Sequence, residues 1–124
     1  MNRSLRVAAH VVVAALLGAG LAAVAYYLFF VPPLAGFNLI VWALVALAIG
    51  LIVHSWGLVI LDCAITGFTI VLTYSILGYQ GADPLPSAIP IFVLIALVGA
   101  LGMTVVGTAA HLVQTRIKRR PAKP

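Results

Sequence analysis

The chain has 124 residues, of which 65% are hydrophobic and 7% charged, with seven basic and two acidic side chains and a net charge of +5. A soluble domain carries roughly 25% charged residues, so this composition excludes a water-facing surface and makes lipid the solvent for most of the chain. Nucleic acid is excluded as a partner by the placement of the charge. Arg3 and Arg6 open the sequence, Arg116, Lys118, Arg119, Arg120 and Lys123 close it, and no Lys or Arg lies between Arg6 and Arg116. Charges that flank an apolar block are topology signals.

The first predicted element is a helix over Val7 to Val31, an apolar run interrupted only by His10 and ended by Pro32 and Pro33, since proline cannot continue a helix. At 1.5 Å per residue it is about 37 Å long, enough to span a bilayer with some tilt. It exceeds the roughly 7 to 15 residues of a signal-peptide core and reads as a retained span. Ala15, Gly18, Ala22 and Ala25 give it a strip of small residues suited to close helix contact.

The next run, Phe37 to Leu77, is too long for one span of about 20 residues. His54-Ser55-Trp56-Gly57 divides it, combining polar side chains, an interfacial aromatic and a glycine able to cap a helix. The second helix is therefore placed over 37–53 and the third over 58–77, joined tightly enough to predict an antiparallel hairpin.

Asp62 falls inside the third helix, about 7 Å below the membrane interface. A carboxylate at membrane depth costs about 2.5 to 3.5 kcal/mol on insertion scales and so faces protein or water. Thr66, Thr69 and Thr73 follow at spacings of four, three and four and share its face. Such a strip either hydrogen-bonds between helices or lines a proton or ion path. Asp62 is expected to point into the bundle near the second or fourth helix, with His54 or His111 as its partner.

Gly78 to Pro90 is the one long polar connection, and Gly81, Pro84, Pro86 and Pro90 are expected to keep it free of regular helix. The fourth helix is placed over 89–113, with a basic tail over 114–124. Ala96, Ala100, Thr104 and Thr108 recur every fourth residue on it, with Gly99, Met103 and Gly107 alongside, a second close-packing strip.

The three histidines, His10, His54 and His111, join Asp62 in bringing one titratable group from each helix to the same third of the bundle. Histidines and carboxylates from facing helices can hold a metal, and two histidines a haem. No histidine here has a ligand-type residue three or four positions on, and neither metal nor cofactor is assigned. Cys63 is the single cysteine, which excludes an intramolecular disulfide.

These elements predict an all-α membrane protein, a four-transmembrane-helix antiparallel bundle forming a single domain over 1–124. Four spans bring both basic ends to one side, and the opposite connections, Pro32 to Gly36 and Gly78 to Ser87, contain no Lys or Arg. The positive-inside rule then makes both termini cytoplasmic in the plasma membrane. No Walker, GxSxG or HExxH pattern occurs, so catalysis is not expected. Two functions remain. One is an accessory or assembly-type subunit, or a self-associating module, acting through helix contacts. The other is a minimal oligomeric transporter or channel whose path is lined by Asp62 and the threonines. The expected partners are the lipid bilayer and either further copies of the chain or a larger membrane protein.

Overall fold

The computed structural model describes residues 2–28 and 35–119, the side chains of residues 25, 28 and 35–39 excepted. It contains four helices, α1 (Arg3–Leu28), α2 (Ala35–Ile52), α3 (Trp56–Leu77) and α4 (Leu85–Arg119), and no strand among the described residues. Three of them, α1 over Arg3–Val24, α3 and α4, are long and apolar enough to cross a membrane, and α2 contributes a shorter apolar stretch over Ile40–Ile52.

The largest departure from the expected boundaries is in α4, which begins at Leu85 and continues to Arg119. Pro86 lies in its first turn, where backbone N–H groups have no helical partner to lose. Ser87 closes that turn, its backbone N–H and its hydroxyl both donating to the Pro84 carbonyl at 3.0 and 2.7 Å. Pro90 is inside the helix and forfeits one hydrogen bond. At the other end Arg116, Lys118 and Arg119 occupy the last turn, where positive charge complements the helix dipole. Residues 114–119 are therefore helix and not tail. Gly57 does not cap α2. It is the second residue of α3, and no glycine among the described residues adopts a positive φ. The helix-ending role of Pro32 and Pro33 lies outside the described residues.

α3 is the central helix. It packs against α4 on one side and α1 on the other, while α2 rests mainly on α4 and touches α3 only lightly. The expected α2–α3 hairpin is thus not a principal interface. Direction follows the expected up-down order, and the departure is in which helices meet. Gly18 approaches Thr66 and Thr69 of α3, and Tyr26 approaches Gly78, so α1 and α3 advance in the same direction. Gly50 approaches Gly107 and Ala110, and Ala46 lies just before it against Gly107, so α2 and α4 are also parallel. Of the three main interfaces the α3–α4 one is antiparallel, Cys63 meeting Gly107 while Val71 meets Gly99. The bundle is therefore not antiparallel at two of its three main interfaces. In an up-down order alternate helices share a direction, and here alternate helices are the neighbours.

Small size and polarity, more than hydrophobicity, mark the inward positions, with Asp62, Thr66 and His111 buried and Val59, Ile70 and Met103 the large apolar exceptions. The buried positions include Ala14, Ala22, Ala46, Cys63, Ala96 and Ala100, whereas Leu16, Val98 and Leu101 are about two-thirds exposed at 68%, 68% and 67%. A water-soluble domain places such large side chains inside. Helices that gain nothing from hiding apolar surface associate through small residues that let backbones approach. Two of the close approaches meet backbone directly. A Cβ on Gly67 would stand 2.8 Å from the Gly99 carbonyl oxygen, and one on Gly50 would run into the Gly107 carbonyl.

Candidate functional site: a polar pair between parallel helices

His10 and Asp62 each sit about 10 Å along their helices from the same end of the bundle. Asp62 Oδ2 accepts a 2.8 Å hydrogen bond from His10 Nδ1, with side-chain exposures of 30% for the histidine and 10% for the aspartate. The partner is on α1, not on α2 or α4, and it is neither His54 nor His111. Asp62 Oδ1 is buried with no hydrogen-bond partner among the described residues. Cys63, next to it on α3, is fully buried and free.

The same 52-residue offset continues up the interface. The Thr66 hydroxyl, fully buried, points to the Ala14 carbonyl at a long 3.5 Å. A Cβ on Gly18 would lie 2.8 Å from the Thr66 carbonyl and 2.8 Å from the Thr69 Cβ. Thr69 and Thr73 are half-buried. The polar strip of α3 is therefore covered by α1, whose buried face is Ala14, Gly18 and Ala22, offset by one residue at its start from the Ala15 expected. Where the strip gives out, aromatic rings take over, with Tyr26 and Trp42 each meeting Tyr74 edge-on at centroid distances of 6.1 Å.

The three histidines do not converge. His54 is exposed in the turn between α2 and α3. His111 is buried on α4, donates from Nδ1 to the Gly50 carbonyl at 3.0 Å, and meets the Trp56 ring edge-on at 4.4 Å. Among the described residues no three His, Cys, Asp or Glu side chains come together. His111 instead serves the end of α2, where the last carbonyls of a helix lack internal partners. Gln114 does the same, donating to the Leu51 carbonyl at 2.8 Å. Gln114 was missed by sequence reasoning because it was assigned to the tail. Its position three residues after His111, on the same helix face, is the signal that finds it.

On α4, Gly99, Ala100 and Gly107 lie against α3, and Gly107 also meets Ala46 of α2. Thr104 and Thr108 are half-buried and turn back on their own helix, donating to the Ala100 and Thr104 carbonyls at 2.7 Å each. Among the described residues they bond no other helix. Gly50 makes a contact as close as any expected residue does and Gly67 one as close as Gly18, and composition alone does not separate them from the other glycines.

No family model, curated protein or solved structure matches this chain. The site therefore rests on its own geometry. Beside the polar pair that geometry includes two sizeable hollows. One, of about 460 Å³, lies between α2, α3 and α4, with Trp42, Ile70, Gly99, Gly102 and Met103 in its lining. The other, of about 560 Å³, lies between the start of α1 and the start of α3 and is lined in part by Arg3, Arg6 and Ser55.

Proposed function

We propose that the chain is a multi-pass protein of the plasma membrane, with the start of α1 and the end of α4 cytoplasmic. It acts through helix contacts, as an accessory or assembly-type subunit or a self-associating module. One observation carries this reading. The 460 Å³ hollow is apolar and floored by Gly67, Gly99 and Gly102, and a side chain on Gly102 would meet nothing within 4 Å. The same kind of surface that joins the helices internally thus remains open on the outside. In lipid, association is driven by close packing and not by hiding apolar area, so an open small-residue groove between large walls suits a further helix. The test is native mass spectrometry and pull-down from mild detergent with wild type and Gly102→Leu. A foreign partner or a homo-oligomer that Gly102→Leu removes, with monomer stability unchanged, supports the reading. A wild-type monomer that brings down nothing stoichiometric sinks it.

A second reading, a minimal proton or ion path formed by oligomerisation, is favoured by a different observation, the buried Asp62 Oδ1 without a donor. That oxygen retains acceptor capacity for a proton or cation. Against it stands the packing of Thr66 and Thr69 beneath Gly18, which leaves the threonine strip between helices and not along an open channel. In liposomes bearing a pH gradient, Asp62→Asn should abolish flux if this reading holds and change nothing if the first does.

A further inference from the structure

The 560 Å³ hollow at the Arg3 end of the bundle has two kinds of lining. Its polar part is Arg3, Arg6 and Ser55, and its apolar part includes Val7, Leu58 and Leu61. Both arginines are exposed, and among the described residues neither pairs with an acidic side chain. The sequence holds two acidic residues, Asp62 and Asp83. Asp62 turns one oxygen to His10 and buries the other. Asp83 follows α3 at the opposite end of the bundle, where its carbonyl accepts from the Tyr79 hydroxyl. Ser55 precedes α3 in the N-cap position, yet its side chain makes no capping bond, so its hydroxyl is also uncommitted to the helix it precedes.

We propose that this hollow binds the phosphate-bearing headgroup of an anionic lipid, with the upper part of the acyl chains against Val7, Leu58 and Leu61. Arginine presents a fork of donors matched to phosphate oxygens. Two such forks in one concavity, paired with no acidic side chain among the described residues, suit an external anion. A free anion would leave the apolar lining unused, whereas a phospholipid carries both chemistries in the order the hollow presents them. The location agrees. The hollow lies at the first turns of two apolar helices, and basic residues near the cytoplasmic surface attract anionic lipid. The binding site rests on the membrane reading above and names the lipid class that one part of the protein selects.

The test is native mass spectrometry of the full chain in an uncharged detergent, titrated separately with phosphatidylglycerol, phosphatidylcholine and inorganic phosphate. Wild type should retain one phosphatidylglycerol in preference to phosphatidylcholine, and inorganic phosphate at equal concentration should not displace it. Arg3→Gln with Arg6→Gln should weaken retention about ten-fold or more. Arg116→Gln with Arg119→Gln, equal in charge removed, should change it less than about two-fold, and Arg3→Lys with Arg6→Lys should keep most of it. Equal losses for the two glutamine pairs would show diffuse charge attraction and overturn the site. Equal retention of the two lipids would overturn the selectivity, and displacement by phosphate alone would overturn the lipid as its occupant. Alkaline carbonate extraction of wild-type membranes separates the two levels. Release of the chain would remove the membrane reading itself, whereas a chain that stays in the membrane without selective lipid removes only this site.

Discussion

His10 and Asp62 lie 52 residues apart and hydrogen-bond at 2.8 Å between two parallel helices. The pair fixes the register of α1 on α3, since the Ala14–Thr66 contact one turn on keeps the same offset. A slip of one helical position would move the carboxylate from a histidine to an alkyl side chain, at the depth where an unpaired carboxylate is costly.

The two residues should therefore be energetically coupled. His10→Ala and Asp62→Ala should each destabilise the protein, and the double variant should cost less than the sum. The coupling should be about 1 to 2 kcal/mol, towards the upper end of measured membrane hydrogen-bond values. Asp62→Asn should cost less than Asp62→Ala because it keeps an acceptor for the imidazole. Unfolding in mixed detergent micelles measures all four. Additivity within about 0.5 kcal/mol would show that the contact does not set the register.

The glycine contacts predict a sharp difference between substitutions of the same size. Gly50→Ala places a methyl group against the Gly107 carbonyl, a backbone atom that cannot rotate away. It should cost about 1 to 3 kcal/mol, as overpacking does. Gly102→Ala and Gly20→Ala meet nothing within 4 Å and should leave monomer stability unchanged within about 0.5 kcal/mol, apart from the modest gain in helix propensity. The same micelle assay decides. Equal effects at Gly50 and Gly102 would mean that α2 does not seat on α4 as described.

Much of this architecture is legible in the sequence. Four apolar runs separated by Pro, Gly and polar residues give four helices, because run length and breakers are local properties. Neighbour choice was not legible. In so uniformly apolar a chain the helix faces differ in bulk and hardly in hydrophobicity, so the usual inward signal is weak. The short 53–55 linker makes α2 the natural neighbour of α3, and His54 and His111, brought to the same third of the bundle as Asp62, make α2 and α4 the expected source of its partner. The small face Ala14, Gly18 and Ala22 instead lets α1 take that place. Spacing did reveal that Asp62 and the threonines share a face, because that depends only on helical geometry. It did not reveal what covers them, which depends on a contact across half the sequence.

His111 and Gln114 should hold the end of α2 unequally. His111 is 3% exposed and donates to a carbonyl that is otherwise without a partner at the helix end. His111→Ala removes that donor and the ring packed against Trp56, and should cost about 1 to 3 kcal/mol. Gln114 makes an exposed bond, where water can replace the lost amide, so Gln114→Ala should cost less than about 1 kcal/mol. Thermal unfolding in detergent would rank them. A larger effect at Gln114 would contradict the burial difference on which the ranking stands.

Orientation can be read with one chemistry because the native thiol is silent. Cys63 is fully buried and should not react with a membrane-impermeant maleimide in the folded protein. Ser87 and Ser4 are exposed, one beside the start of α4 and the other beside the start of α1. Ser87→Cys should label in intact cells, and Ser4→Cys only after permeabilisation, if the basic ends are cytoplasmic. The opposite pattern would invert the protein while leaving four crossings in place. The pair also tests α2, whose described apolar stretch is the shortest of the four. Ser4 and Ser87 are separated by α1, α2 and α3, so three crossings put them on opposite sides. If α2 fails to cross, only two crossings separate them, and both cysteines would label under the same condition. Identical labelling would therefore overturn the four-span topology itself, whichever side the reagent reaches.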